Sequence, residues 1–411
     1  MSDMVQSGLP PAARRMIAAT FVTSLGTGLT LPFTLILLHE VRGIALPTVG
    51  LLLAVPGLVG LAAVPASGAL VDRYGPRTVL RSVVSIGVAA NVVLAFARTV
   101  PAALVAVVLV GISLGPTFPA SAALLNGLVQ PAQVQRAFAV QFTALNAAIG
   151  LGGLVGAALV DVHHAWTFEV LYLGNAVSFV VQALLLPPAP APVREPEAEL
   201  PSYQEVFRDP VFQRVVTVSL LLALTGYAAL DSGLPAFARV VGHVSPSVIA
   251  LSFAVNTATI VSGQLLVIRR FRGRRRSLML GATAATWAVS WALLGLLPGL
   301  STTGRTVVVL VFGGVFGVGE CFMAPTLQPL VNALATDRLR GRYNATSGAA
   351  FSVAFVVSPA ISAGLIGAGL GTVWIVGIVL LSLVAATVAV RLQGRLSDAQ
   401  DGLAATAPAL G

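Results

Sequence analysis

Few side chains in this chain can ionise in apolar surroundings, so each one that does is a candidate for chemistry. Glu320 falls in Phe316-Gly-Val-Gly-Glu-Cys-Phe-Met-Ala-Pro325, the middle of a long apolar run. An unpaired charge in such a place is costly, and a carboxyl group there faces a cavity or a partner. No arginine lies at comparable depth, which points to neutralisation by a proton rather than by a salt bridge. Glu320 is therefore a candidate for proton coupling or for meeting a cationic substrate. The alternative is a structural carboxylic acid that bonds to a neighbouring helix. Asp231 lies four residues before Pro235, roughly 6 Å inside the end of its run at about 1.5 Å per helical residue. It could attract cationic solutes, pair with Arg239, or sit at a solvated rim. The amides Asn91, Gln141, Asn146, Asn175, Asn256 and Gln264 also occur in apolar runs. They would be costly against lipid and are expected to point inward or between helices, either contacting a substrate or bonding helix to helix. With so few fixed charges, the path suits amphipathic or hydrophobic organic solutes, although amides can also satisfy sugar hydroxyls. Glu169, near the start of its run, reads as interfacial, and His163 and His164 read as exposed loop residues.

The elements that must position these groups follow from composition. Of 411 residues, 56% are apolar and only 9% charged, with a mean hydropathy of +0.92, against roughly 25% charged in soluble domains. A membrane-crossing helix needs about 20 apolar residues, and twelve fit here. Their expected ranges are 16–38, 46–71, 78–97, 101–125, 137–160 and 166–186, then 212–235, 247–268, 277–298, 306–329, 344–368 and 371–391. The polar, proline-rich stretch between them cannot span. The chain thus divides into a six-helix bundle at 1–186, a linker at 187–211 and a second six-helix bundle at 212–411. Residues 202–208 could form a short interfacial helix. Arg14 and Arg15 precede an apolar run too long for a signal peptide, so a retained first helix is expected. Cys321 is the sole cysteine, which precludes an internal disulfide.

There is no lysine, so all 24 basic side chains are arginines, and the formal net charge is +9. With the twelve spans drawn, only Arg42, Arg98, Arg239 and Arg305 fall on one side, and the others gather on the opposite side. Such alternation records membrane orientation and places both termini in the cytoplasm. The arginine clusters could touch anionic lipid headgroups. They punctuate apolar segments instead of gathering on a soluble surface, which argues against nucleic acid as a partner.

The connection between spans 2 and 3 reads Gly68-Ala-Leu70-Val-Asp72-Arg73-Tyr-Gly75-Pro-Arg77-Thr-Val-Leu80. It resembles the G-x-L-a-D-r-x-G-r-k-x-x-l signature of the major facilitator superfamily at Gly68, Leu70, Asp72, Arg73, Gly75, Arg77 and Leu80, with Pro76 where a basic residue is usual. The stretch from Gly319-Glu320 to Arg340-Gly341-Arg342-Tyr343 looks like a region of the drug-export members. The resemblance implies an all-α fold of two six-helix bundles, alternating access with substrate between the halves, and a conformational switch in which Asp72 contacts the start of span 11. Three departures stand out. Val108 occupies the place in span 4 where an arginine implicated in proton coupling is usual. Span 5 has Gly152-Gly153 without the proline of the antiporter signature. The turn between spans 8 and 9, Arg269-Arg-Phe-Arg-Gly-Arg-Arg-Arg276, has no acid of its own.

The function these features imply is proton-coupled efflux of lipophilic or amphipathic small molecules, of the drug:proton antiport and multidrug-resistance kind. Protons, a small-molecule substrate and membrane lipids are the expected partners, and no cofactor or metal is implied. A monomer in a bacterial plasma membrane is expected, the high-arginine, lysine-free composition resembling that of a high-GC bacterium. The alternative on the same fold is a transporter of sugar or another neutral solute. A polytopic enzyme would need a convergent catalytic cluster, and a channel a charged or carbonyl-lined pore. Neither is visible, and without lysine no phosphate-binding G-x-x-x-x-G-K-[ST] loop exists.

Overall fold

The computed structural model describes residues 8–130, 133–188, 203–271, 273–336 and 339–403. Among them every regular element is helical, and twelve helical stretches are long and apolar enough to cross a membrane. The chain forms two compact units, Met1–Pro196 and Glu197–Gly411. Most of the expected linker falls at 189–202, outside the described residues. The helix Tyr203–Arg208 follows it.

In unit 1 the spans are Pro11–Val41, Leu46–Tyr74, Pro76–Phe96, Val100–Gly127, Val134–Leu159 and Ala165–Leu185. Span 1 packs against spans 5 and 6, span 3 against 4 and 6, and span 2 against 4. Unit 2 contains Pro210–Val240, Pro246–Arg270, Arg276–Gly299, Thr302–Leu334, Arg340–Gly367 and Gly371–Arg391. Its pairings repeat those of unit 1: span 7 against 11 and 12, span 9 against 10 and 12, and span 8 against 10. The internal duplication, faint in the sequence, is plain in this packing.

Local chemistry starts the helices. Asp209 caps span 7, its Oδ1 accepting from Val211 N at 2.9 Å and Phe212 N at 3.0 Å, with Pro210 in the first turn. That arrangement satisfies orphan N–H groups where proline's missing donor costs nothing. The Tyr343 hydroxyl donates to the other Asp209 oxygen at 2.8 Å, joining the first turn of span 11 to that of span 7.

Several spans are longer than expected because they are interrupted rather than ended. Span 1 passes through a 3₁₀ turn at Leu31–Phe33, where Pro32 lacks a donor, and a π turn at Leu37–Val41. Span 7 breaks after Thr225 and resumes through a π turn at Ala229–Gly233 to reach Val240. Gly226 explains that break. A Cβ there would lie 2.2 Å from the Trp287 ring, so only glycine lets the indole approach. The freed Thr225 carbonyl accepts from Trp291 Nε1 at 2.6 Å.

Candidate functional site

The polar interior of unit 2 centres on Glu320, which lies in span 10 and is 6% exposed. Asn256 of span 8 donates through Nδ2 to its Oε2 at 2.5 Å. The Tyr227 side chain, just past the span 7 break, interacts with the same carboxyl group. Three helices therefore converge on one acid, and no arginine or histidine ion pair to it occurs among the described residues. An aromatic column flanks it. Tyr227 meets Trp287 edge-on at 6.0 Å, Trp287 stacks on Phe316 at 4.8 Å, and Trp291 packs on Phe312 at 4.8 Å. Trp287 is fully buried and donates to the Phe316 carbonyl at 3.0 Å, so its role is packing. Gln264 is more distant, reaching the Cys321 carbonyl at 3.5 Å.

An amide and a phenol are unusual partners for an acid in one respect. A guanidinium donates only, and so satisfies only the carboxylate. Amide and hydroxyl groups both donate and accept, so they can satisfy the carboxylate and the carboxylic acid alike. The arrangement allows a proton to come and go without stranding a buried polar group.

Asp231 is placed differently from its expectation. Span 7 continues nine residues beyond it to Val240, so it lies roughly 13 Å from that end at about 1.5 Å per residue, about twice the expected depth. It sits on the π turn, four residues after Tyr227. Arg239 donates to the Val244 carbonyl at 2.6 Å.

Unit 1 builds its polar interior from neutral groups. Asn175 of span 6 donates through Nδ2 to Thr30 Oγ1 at 3.2 Å and Asn91 Oδ1 at 2.9 Å, joining spans 1, 3 and 6. Tyr172 donates to Thr34 Oγ1 at 2.7 Å. Gln141 reaches Thr20 Oγ1 at 3.1 Å and Ser121 Oγ at 3.3 Å, linking spans 1, 4 and 5. These amides bond helix to helix. Asn146 makes a local bond, its Nδ2 donating to Phe142 O of its own helix at 2.9 Å.

In the signature turn, Gly75 adopts φ +79°, the sharp bend expected of it, and Gly273 of the span 8–9 turn adopts φ +75°. Leu80 is fully buried and Leu70 exposed. The Arg73 guanidinium lies 5.2 Å from the Tyr74 ring centroid, and Arg77 donates to Leu186 O at 3.4 Å. Gly68 falls within the helix Leu46–Tyr74, and the side chain of Asp72 lies outside what the structure describes.

Three residues escaped the sequence reading. Tyr227 carried a usable signal as a lone phenol within the apolar run of span 7. Asp209 carried a stronger one, an acid immediately before a proline. Asp401, which closes on the span 8–9 turn, carried none. Arg42 and Glu169, read separately, form a 3.0 Å ion pair at the end of unit 1. His164 pairs with Asp161 at 2.8 Å. No group of three metal-ligating side chains occurs among the described residues.

Comparison with known proteins agrees with this architecture. Residues 16–300 match the family model of the Major Facilitator Superfamily. The uncharacterised MFS-type transporter YttB of Bacillus subtilis is 23% identical over 359 residues, 85% of this chain and 87% of its own length. The crystal structure of a bacterial homologue of the human lysosomal transporter Spinster superposes with a TM-score of 0.71 at 14% identity, covering 97% of this chain and all of that one. A D-xylose–proton symporter gives 0.71 at 16% identity, over 92% of this chain and 96% of that one. Relatives and fold are those of transporters rather than enzymes: this chain is a polytopic secondary transporter belonging to the Major Facilitator Superfamily.

Proposed function

We propose that the chain exports lipophilic or amphipathic small molecules by alternating access, driven by protons that exchange on Glu320. The observation that carries this reading is a mid-membrane carboxyl group held by Asn256 at 2.5 Å, with Tyr227 beside it. Its neutral partners suit both protonation states, and Val108 leaves no arginine in span 4 to take the coupling role there. The mostly apolar spans favour a lipophilic solute, and the acid itself favours one with positive charge. The arginine-rich ends face the cytoplasm in this reading.

The test is transport by purified protein in proteoliposomes, following ethidium with an imposed pH gradient, for wild type and Glu320→Gln. Gradient-driven movement that the substitution abolishes supports antiport on Glu320. Movement that survives with unchanged pH dependence removes Glu320 from coupling. A neutral polar solute on the same fold is the second reading, supported by the half-buried amide Gln141 and by the name of the D-xylose–proton symporter. Proton-linked movement of a labelled pentose, with none of ethidium, would favour it.

A further inference from the structure

The span 8–9 turn has arginines and no acid within itself, yet a buried carboxylate meets it. Asp401, fully buried, comes from the segment after span 12. Its Oδ1 accepts from Ser277 N at 2.8 Å, and its Oδ2 accepts from Ser277 Oγ at 2.8 Å and Arg275 Nη1 at 3.3 Å. Its backbone carbonyl accepts from Arg276 N at 2.7 Å. The first N–H groups of span 9 are thus capped by a residue 124 positions away in sequence. A carboxylate is the favoured group at such a helix start, and its bond to arginine is charge-assisted.

The segment carrying Asp401 is itself built. Ser397 N donates to Gln400 Oε1 at 3.0 Å while Gln400 N donates to Ser397 Oγ at 3.3 Å, a reciprocal pair like a helix capping box. Gly402 takes φ +85°, and a Cβ there would lie 3.0 Å from Arg276 Nε. Arg276 in turn donates to Gln400 O at 3.0 Å and to Pro329 O of span 10 at 3.4 Å. Unit 1 has a lighter version of the same tie, in which Arg77 of the span 2–3 turn reaches Leu186, just past span 6. In each unit, then, the turn opening the third span is fastened to the segment that follows the sixth. The tie is part of the repeat rather than an accident of the tail.

We propose that Asp401 is a positioning residue for the transport step, fastening the ends of spans 9, 10 and 12 so that unit 2 moves as one body. Alternating access by rocking requires each bundle to transmit motion without deforming. A bundle whose third helix is loose at one end deforms instead. The inference is independent of where the proton binds.

The lone thiol, Cys321, gives the test. It is 1% exposed and faces the Thr259 and Ile260 carbonyls of span 8, about two helical turns before the Pro329 contact on span 10. The full chain in lipid nanodiscs would be reacted with N-ethylmaleimide, while hydrogen exchange follows the amides of 276–280 and 397–402. Asp401→Asn keeps an acceptor but loses the charge. The expected result is faster exchange at both segments and Cys321 labelling several-fold faster, with Asp401→Glu restored toward wild type. Arg275→Gln, which breaks the ion pair from the other side, should act in the same direction and covers the case in which Asp401→Asn fails to fold. Two results would overturn the proposal: exchange unchanged in both variants, meaning that the charge does not hold the tie, or exchange accelerated with Cys321 labelling at the wild-type rate.

Discussion

The two units share one plan of helix pairing but fill it with different chemistry. Unit 1 ties spans 1, 3 and 6 together with Asn175, Asn91 and Thr30, all neutral, and keeps its ion pairs at helix ends, in Arg42–Glu169 and Asp161–His164. Unit 2 gathers spans 7, 8 and 10, the counterparts of spans 1, 2 and 4, around an acid, Glu320 with Asn256 and Tyr227, and packs aromatic rings beside it. The same scaffold thus serves in one half as a bonded core whose members have no protons to exchange near neutrality. In the other half it holds a group that can change charge. Duplication supplies the frame, and the copies differ in the chemistry they put inside it.

Breaking this contrast should produce unequal losses. The largest belongs to Glu320→Gln, expected to cut pH-gradient-driven flux by about two orders of magnitude, the scale of losing a proton-transferring group. Asn175→Leu should leave the gradient dependence intact, and parallel flux assays on the two variants would expose any coupling role in unit 1. Next comes Glu169→Gln. It removes the counter-charge of the Arg42 guanidinium, whose side chain is only 7% exposed and which keeps its bond to the Ala95 carbonyl at 2.8 Å, and should cost about 2–3 kcal/mol, at or below the scale for breaking a buried pair. Chemical denaturation in detergent measures this. Asn175→Leu should cost less, about 1–2 kcal/mol, because it leaves Asn91 and Thr30 short of a partner but strands no charge. The smallest effect is at Asp161. The His163 backbone N–H, and then His164, hold its carboxyl below the ordinary carboxylate range. A depressed folded-state value means that the turn is supported above the ordinary range and loses that support as pH falls through the folded value. The protection of the His163 amide, its exchange rate set against that of an unstructured amide at the same pH, should fall with acid in wild type, and Asp161→Asn should flatten that dependence.

What the sequence disclosed and what it hid divide along sequence distance. Twelve spans, the charge asymmetry of the loops and the burial of Glu320 were legible because each is written in a contiguous stretch. Asn256 and Glu320 were each conspicuous for polarity in apolar surroundings. Their bond was not visible, because it joins helices 64 residues apart and helical periodicity says nothing about which spans are neighbours. The depth of Asp231 was misjudged for a local reason. Pro235 was read as an end, whereas it sits in the first turn of a resumed helix, Leu234–Val240, where a missing N–H is harmless. Asp401 was the least legible, since an acid in a polar tail carries no sign of the helix start that it caps.

The tail contact has a consequence for how the protein is made. Span 9 emerges 124 residues before the residue that caps it. At roughly 5–20 residues per second, its first turn waits on the order of 6–25 s with N–H groups whose cap has yet to be made. Unit 2 is therefore finished last at the very place where its third helix begins. A chain lacking residues 397–403 would keep all twelve spans and leave the start of span 9 without its cap.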